Sequence, residues 1–187
     1  ELADPPPGAQ RFEKLVAGGY LGEIARRLLI DLAAGSGLFA TWTRALHSPF
    51  GLDTAALGQI AGDRSPGLSE AGGVLRGLGV ESTAGEREAL RILAHLVVTR
   101  SARLIAAALL GTLEHIDPAL DSRHHVAVDG SLYGRYPGYA RLVEAGFAEL
   151  CGAERAGRIR LEFAKDSTAL GAAVIAAATA DQRPGGG

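Results

Sequence analysis

Apolar positions recur at two different spacings along the chain, helical in its first part and alternating near its end. Residues at intervals of three and four lie on one face of a helix, and this spacing is kept by Leu21, Ile24, Leu28 and Leu32. The helix is expected to end near the glycines of AAGSGL. Consecutive prolines cannot enter a helix interior, so residues 1–8 are expected to form an extended leader.

The middle of the chain changes from loop-rich to strongly helical. Residues 35–85 are rich in Gly, Ser and Pro, which predicts short helices joined by loops. Residues 82–116 carry the strongest helical pattern, with Ser82 or Thr83 as the N-terminal cap. From Ser101 onward nearly every face is small or apolar, so this half of the helix is expected to be buried.

The final third of the chain combines strands with helices. HHVAV is a predicted strand, followed by a glycine-containing turn and a helix from Pro137 to about Leu150. The second predicted strand, RIRLEF, has three apolar side chains on one face: Ile159, Leu161 and Phe163. A further turn leads to the predicted helix GAAVIAAATA, and residues 182–187 are expected to be a flexible tail. The repeated order of strand, turn and helix predicts a helix-rich α/β fold.

Composition narrows the classes of partner. The 187 residues suit one domain or part of a larger one, and 47% hydrophobic residues are enough for a packed core. The net charge of −2 and the absence of a basic face make nucleic acid and anionic membrane surfaces unexpected partners. The longest uncharged apolar run, Leu104 to Leu113, is shorter than the roughly 20 residues that span a bilayer, so no transmembrane segment is predicted.

The cysteine and methionine contents of the chain give further expectations. The single cysteine, Cys151, rules out a disulfide within the chain and fits a reducing compartment, and the predicted location is the cytoplasm. Cys151 precedes Gly152 at a predicted helix end and is interpreted as a packing residue. The chain begins at Glu1 and contains no methionine, which predicts a fragment or a processed product.

The first strand-to-helix junction is the strongest candidate for ligand binding. Backbone N–H groups at such a junction lack partners and attract anions. Gly130 would let the backbone approach a ligand, Ser131 would donate to a phosphate, and Asp129 would cap the helix or bind a ribose or a metal-bound water. Asp-Gly is also a common turn pair, so an ordinary turn is the alternative. A second junction at residues 166–168 is better explained as a helix cap.

Histidines near the first predicted strand do not form a predicted metal site. His124 and His125 are adjacent on that strand, so their side chains are expected to point to opposite faces. His115, Asp117 and Asp121 precede them, and a solvated loop entering a strand is the preferred interpretation.

Two long motifs resemble those of a known family. PGAQRFEKLVAGGYLGE resembles the sugar-binding segment P-G-x-Q-x-[YF]-E-K-x-x-[SG]-G-x-Y-[LM]-G-E of hexokinases and glucokinases. VAVDGSLYGRYP resembles their adenosine segment V-x-x-D-G-[ST]-[LV]-Y-x-x-[HY]-P, and GAAVIAAA resembles the helix that closes their nucleotide pocket. The resemblance runs from Pro7 to about Ala180. It implies that residues 9–181 form the C-terminal part of the large lobe of an actin-like ATPase (ribonuclease-H-like) fold.

The resemblance also implies roles for individual residues. Gln10 and Glu13 match positions that hydrogen-bond sugar hydroxyls, and a carboxylate suits this task because charge-assisted hydrogen bonds are strong. Gly18 and Gly19 match a turn that approaches the nucleotide, and Ser48 matches a hydroxyl near the phosphates. The positions that match the lining of the adenosine and its phosphates are Asp129, Gly130, Ser131 and Leu132. Without the resemblance, Glu13 would be interpreted as an ordinary first-turn glutamate.

Two positions depart from the family pattern. The family's G-S-G-x-G run reads Ser167 to Gly171 here, with two of its three glycines replaced, so Cβ atoms are expected to crowd the nucleotide or move the loop. Gly134 stands where animal relatives often carry lysine, which removes a nearby positive charge. Both departures are expected to weaken nucleotide binding.

The activity implied by the resemblance is transfer of the γ-phosphate of Mg-ATP to the 6-hydroxyl of a hexose, with glucose as the expected hexose. The family's general-base aspartate and its D-x-G-G-T-N phosphate loop belong to the N-terminal lobe, which this chain lacks, so no catalytic residue is assigned here. Because phosphoryl transfer needs several positioned groups at once, the chain alone is expected to bind weakly and to be inactive. The alternatives are a hexokinase-like sugar sensor that does not catalyse and a helical interaction module.

Overall fold

The computed structural model describes residues 8–36, 38–42, 45–165 and 171. The α-helices within them are α1 (Arg11–Val16), α2 (Gly18–Ser36), α3 (Thr54–Gly62), α4 (Ser69–Gly77), α5 (Ala84–Ile116), α6 (Ser131–Arg135), α7 (Tyr139–Cys151) and α8 (Ala153–Ala156). The strands are β1 (His124–Val128) and β2 (Ile159–Phe163). Short 3₁₀ helices between α2 and α4 cover Ala40–Trp42, Ala45–His47 and Pro66–Leu68. The short helices and loops predicted for residues 35–85 are therefore confirmed.

Helix α5 forms the centre of the fold, with α2, α3 and α7 packed against it. Thr83 caps its N-terminus: the Thr83 hydroxyl accepts from the N–H of Glu86, and the Glu86 carboxylate accepts from the N–H of Thr83 at 2.8 Å. The side chains that α5 buries recur at helical spacing: Leu90, Ala94, Val97, Val98, Ser101, Ala102, Ala106, Leu110 and Leu113. The predicted start of this helix is confirmed.

The second half of α5 is buried on one side only, contrary to the expectation from its composition. Ala102 and Ala106 are fully buried. Gly146 of α7 packs so closely there that an added Cβ would lie 2.8 Å from the Cβ of Ala106. Ala108 is exposed, and Ile116 is 68% exposed. Small and apolar residues occupy both faces, so composition alone does not identify the covered one.

By length and composition, α5 is also apolar enough to cross a membrane, which its short uncharged run did not indicate. Within the fold, 33% of the most apolar stretch of this helix is buried. The core helix of a soluble protein meets the same criterion, and α5 packs against α1, α2, α3 and α7 in this structure. One such helix is therefore not diagnostic of a membrane span.

The predicted helix over Leu21 to Leu32 is confirmed as α2, and its buried face follows only part of the apolar repeat. Leu21, Ala25 and Leu29 are buried at intervals of four residues. Leu28 and Leu32 belong to the same apolar repeat but are 39% and 41% exposed. The buried residues form a ridge that packs against α3 and α5. The small side chain of Ala25 lets the neighbouring helices approach α2 closely.

Strands β1 and β2 pair in parallel, with His124 opposite Ile159 and Val128 opposite Phe163. Parallel strands need a crossover connection, and α6, α7 and α8 provide it. The predicted α/β layer is therefore confirmed. The predicted apolar face of β2 is only partly buried, since Ile159 is 9% exposed and Phe163 at the strand end is 47% exposed.

The helix predicted from Pro137 begins at Tyr139, and a separate short helix precedes it. Gly138 is the N-terminal cap of α7 and has a φ of 81°, a left-handed conformation that favours glycine. Pro137 cannot donate a helical hydrogen bond, so the two residues together separate α6 from α7.

Several predictions fall outside the described residues. These are the leader before Gly8, the loop at 166–170 that contains most of the altered G-S-G-x-G run, and the helix and tail after Gly171. Trp42, within the described residues, is a core side chain: it is 1% exposed and packs against Phe39 with ring centroids 4.5 Å apart.

Candidate functional site

A cavity of about 770 Å³ lies between the start of α2, helices α3 and α4, and helix α6. Its volume falls within the roughly 300–1,000 Å³ of typical small-molecule sites. The first wall comes from α2, α3 and α4 and includes Gly18, Thr54, Gly58, Gln59 and Glu70. The second wall comes from α6 and the residues that follow it, and includes Ser131, Leu132, Arg135 and Tyr136.

The first wall is held together where the backbone of α2 meets the residues before α3. Gly22 permits this approach, because an added Cβ would lie 2.1 Å from the carbonyl oxygen of Leu52. Thr54 Oγ1 accepts a hydrogen bond from the N–H of Gly22 at 3.0 Å and donates its proton to the carbonyl of Gly18. Since that proton is already used, Thr54 shapes the wall and does not donate to a ligand.

Glycines also let the two walls approach each other. An added Cβ on Gly18 would lie 3.3 Å from the Cβ of Leu132. The ring of Tyr136 lies over Gly58 of α3, where an added Cβ would be 3.0 Å from the ring. Helix α6 is therefore seated against the start of α2 and the middle of α3.

The cavity presents polar side chains that form no hydrogen bond or ion pair with other residues in the described part of the chain: Gln59, Glu70, Ser131, Arg135 and Tyr136. Burial raises the pKa of Tyr136 to about 12, so its hydroxyl remains a proton donor at neutral pH. Arg135 is the cation and Glu70 the carboxylate among the described lining residues. The cavity therefore offers several donors along α6 and one carboxylate on α4.

Helix α2 also fixes the segment that contains Ser48. The Glu23 carboxylate forms a two-point ion pair with Arg26, each contact at 2.6 Å, and accepts from the N–H of Phe50 at 2.8 Å. Arg26 donates to the carbonyl of Leu46. The hydrogen bond from Arg26 is the main reason that the pKa of Glu23 is lowered to about 2. Ser48 is exposed between these two anchored residues.

The predicted sugar-binding residues lie on and before α1. Gln10 is its N-terminal cap, with φ 53° and ψ 36°, and makes no side-chain cap hydrogen bond. A left-handed conformation costs a non-glycine residue about 1 kcal/mol. Glu13 lies in the first turn and is exposed, and its carboxylate has no hydrogen-bonding partner among the described residues. Neither residue lines the cavity described above.

A buried hydroxyl ties α1 to the core. Ser101 Oγ donates to the carbonyl of Val16 at 2.9 Å and is hydrogen-bonded to the hydroxyl of Tyr139 at 2.7 Å. Ser101 is fully buried and Tyr139 is 3% exposed. Helices α1, α5 and α7 therefore share one desolvated contact, which fixes the position of α1 relative to the α/β layer.

The histidines near β1 belong to separate contacts. His124 Nε2 lies 3.0 Å from Asp117 Oδ2, and His125 Nδ1 lies 3.4 Å from Glu162 Oε1. A hydrogen bond from the N–H of Ser122, and then the one from His124, lower the pKa of Asp117 to about 2. The described part of the chain contains no group of three or more side chains suited to a metal ion.

The structure brings together three of the residues predicted to contact the nucleotide: Gly18, Ser131 and Leu132. The other predicted nucleotide residues do not line the cavity: Gly19, Ser48, Asp129 and Gly130. Gly130 has an extended backbone with φ 169°, and an added Cβ would meet no described atom within 4 Å. The described fold therefore does not itself require glycine at this position.

Sequence reasoning missed other polar residues of the cavity: Thr54, Gln59, Glu70, Arg135 and Tyr136. A signal was present for Arg135, which lies four residues after Ser131 and therefore on the same face of α6. No pattern in the sequence indicated that α3 and α4 would face α6, because that contact is tertiary.

The parallel strands, their helical crossover and the ligand-sized cavity define part of an α/β domain. A family model described as "Hexokinase" matches residues 2–178, and the chain belongs to the hexokinase family. It is 39% identical over 183 residues to the protein named "Hexokinase-4, chloroplastic" of Oryza sativa subsp. japonica. That alignment covers 92% of this chain and 35% of the rice protein.

Solved hexokinase structures share the fold. A hexokinase crystal structure superposes with a TM-score of 0.69 and 26% identity, over 83% of this chain and 34% of the other. The hexokinase of Schistosoma mansoni complexed with glucose superposes with a TM-score of 0.67 and 25% identity, over 81% of this chain and 34% of the other. The chain thus spans about a third of the length of the relatives it matches, and it corresponds to part of an actin-like ATPase fold.

Proposed function

We propose that this chain supplies part of the nucleotide and sugar sites of an ATP-dependent hexose kinase, which phosphorylates glucose or a related hexose at the 6-hydroxyl. The cavity between α2 and α6 carries the proposal, because residues from both family motifs line it. Gly18 comes from the first motif, and Ser131 and Leu132 come from the second. Two segments more than a hundred residues apart in the chain thus meet at one ligand-sized space.

The nucleotide is proposed to occupy this cavity. Leu132 and the ring of Tyr136 offer apolar surface to a base, and both are seated against glycines of the first wall, Gly18 and Gly58. Ser131 follows the end of β1 by three residues, and its hydroxyl forms no hydrogen bond with other described residues. Asp129 and Gly130 would then border the ligand from the end of β1.

Magnesium is proposed to enter with the nucleotide. Mg²⁺ keeps several waters and is commonly held by substrate phosphates with one or two carboxylates, so it does not need a cage of protein ligands. When bound, it would neutralise charge on the phosphates during transfer. Glu70 on α4 is a carboxylate of the cavity that is available to water bound to such an ion.

The sugar is proposed to contact Gln10 and Glu13. Both side chains are exposed, and the Glu13 carboxylate is uncommitted within the described residues. The left-handed backbone of Gln10 supports a functional role, because strained residues cluster at ligand sites. The base and the phosphate loop would come from the N-terminal lobe, so the chain alone is proposed to be inactive.

The proposed location is the cytoplasm. A single cysteine, half-buried with its Sγ 3.2 Å from the carbonyl of Phe147, supports a reducing compartment.

Filling the cavity tests the nucleotide site. Ala55 lines the cavity and is exposed on α3, so Ala55→Trp places an indole in the space without replacing a core side chain. We expect Ala55→Trp to weaken ATP and adenosine binding by at least about tenfold, measured by isothermal titration calorimetry. Ala34→Trp, at an exposed position of α2, is the matched control and should bind as the parent does. Equal affinity of both variants would reject the cavity as the nucleotide site.

A further inference from the structure

We infer that Arg135 is the residue of this chain that binds the phosphate groups of the nucleotide, an assignment that rests on the proposed nucleotide site. Arg135 lies at the end of α6 and lines the cavity. It forms no ion pair and no side-chain hydrogen bond with any residue in the described ranges. Arg135 is exposed and lines a ligand-sized cavity, and its guanidinium has no partner among the described residues, so it is available to an anion.

Ser131 supports the assignment by its position. Ser131 and Arg135 are separated by four residues of one helix, so their side chains lie one turn apart on the same face. The Ser131 hydroxyl is also uncommitted among the described residues. A hydroxyl and a guanidinium at this spacing can reach successive oxygens of a phosphate chain, and guanidinium groups bind phosphate oxygens in pairs.

The neighbouring position cannot supply the cation instead. An added Cβ on Gly134 would lie 2.5 Å from the Phe163 ring, and two further ring atoms are within 3.0 Å. A longer side chain at position 134 would therefore require Phe163 to move. The sequence predicted that Gly134 removes positive charge from the site, whereas the structure places a charge on the cavity one residue later, at Arg135.

The other charged group of the cavity limits where the phosphates lie. Glu70 belongs to α4 in the first wall, whereas Arg135 belongs to α6 in the second. Repulsion between carboxylate and phosphate oxygens disfavours their direct contact, so Glu70 would face the phosphates only across Mg²⁺ and its bound waters. The phosphate chain is therefore assigned to the α6 side, next to Ser131 and Arg135.

Inorganic tripolyphosphate and adenosine separate the phosphate contacts from the base contacts. In the chain with Arg135→Ala, we expect ATP and tripolyphosphate to bind about tenfold to a hundredfold more weakly, because a charge-assisted contact is lost. Adenosine affinity should stay within about twofold of the parent, since adenosine carries no phosphate. Arg135→Lys should restore part of the loss, because it keeps the charge but not the paired donors. Isothermal titration calorimetry measures all three ligands.

Arg141 provides the matched control, since it is an exposed arginine of α7 that does not line the cavity. Arg141→Ala should leave tripolyphosphate affinity unchanged, and circular dichroism should show that both variants are folded. Unchanged tripolyphosphate binding in Arg135→Ala, or an equal loss in Arg141→Ala, would overturn the assignment while leaving the nucleotide site in place. Loss of tripolyphosphate binding in a chain that never binds adenosine would support Arg135 and reject the base site. A parent chain that binds none of the three ligands would overturn both.

Discussion

At the scale of single residues, the Glu23–Arg26 pair shows that a position in a ligand-binding motif can be structural. Glu23 is the last residue of the first family motif, yet its carboxylate is used by Arg26 and by the N–H of Phe50. The side chains of the pair are only 5% and 11% exposed. Removing one partner of a buried pair leaves the other charge unpaired in a medium that solvates it poorly.

The first prediction concerns this pair. Glu23→Gln should lower the free energy of unfolding by about 3 kcal/mol, measured by urea denaturation at neutral pH. The pKa of Glu23 is lowered from 4.5 to about 2, so its contribution is complete above about pH 4.5 and is lost as the pH falls toward 2. The difference in stability between parent and variant should therefore shrink over that acidic range.

Glu88 and Arg91 provide a control with the same spacing. This pair also has a contact of 2.6 Å, but its side chains are 46% and 29% exposed. Water solvates both partners after substitution, so Glu88→Gln should change stability much less than Glu23→Gln. Equal effects of the two substitutions would show that burial does not control the strength of the Glu23 pair.

At the scale of elements, the contact between α2 and the residues before α3 depends on one missing side chain. Gly22→Ala would place a Cβ 2.1 Å from the Leu52 carbonyl oxygen, and backbone cannot move aside as a flexible side chain does. We expect a loss of about 3 kcal/mol or more in the free energy of unfolding. Gly35→Ala in the same helix meets no atom within 4 Å and should instead stabilise by about 0.5–1 kcal/mol. Thermal unfolding of the two variants in opposite directions would confirm the contact.

Some elements of the fold could be predicted from the sequence, whereas the packing between elements could not. The capping box of Thr83 and the alternation in β1 are local signals, so the start of α5 and the parallel layer were predictable. The buried face of α2 was not, because Ala25 is buried while the larger Leu28 is exposed, and only the packing of α3 and α5 decides between them. For the same reason the motifs predicted Gly18, Ser131 and Leu132 but not the α3 and α4 wall that completes the cavity.

At the scale of the whole molecule, the proposed sugar residues and the proposed nucleotide cavity are held in one body. Ser101 joins α1 to α5 and α7 through buried hydrogen bonds of 2.9 and 2.7 Å, and α1 leads through Ala17 directly into the α2 turn that lines the cavity. Relatives are about three times as long as this chain, since the rice alignment covers 35% of that protein. The remaining groups that the proposed transfer needs would therefore approach α1 and α6 from another part of the complete protein.

The last prediction tests Glu13 in the complete protein that contains this chain. If the Glu13 carboxylate binds sugar hydroxyls, Glu13→Ala should raise the KM for glucose by about tenfold to a hundredfold, because charge-assisted hydrogen bonds are lost. Glu13→Gln keeps a hydrogen-bond acceptor without the charge, so its KM should lie between those of the parent and the alanine variant.

The control is Glu81→Ala, at an exposed loop position, which should leave the KM for glucose unchanged. An unchanged KM in Glu13→Ala would assign Glu13 only to the first turn of α1, where an acidic residue already stabilises the helix dipole. Glucose binding without phosphorylation by the complete parent protein would instead favour the sugar sensor.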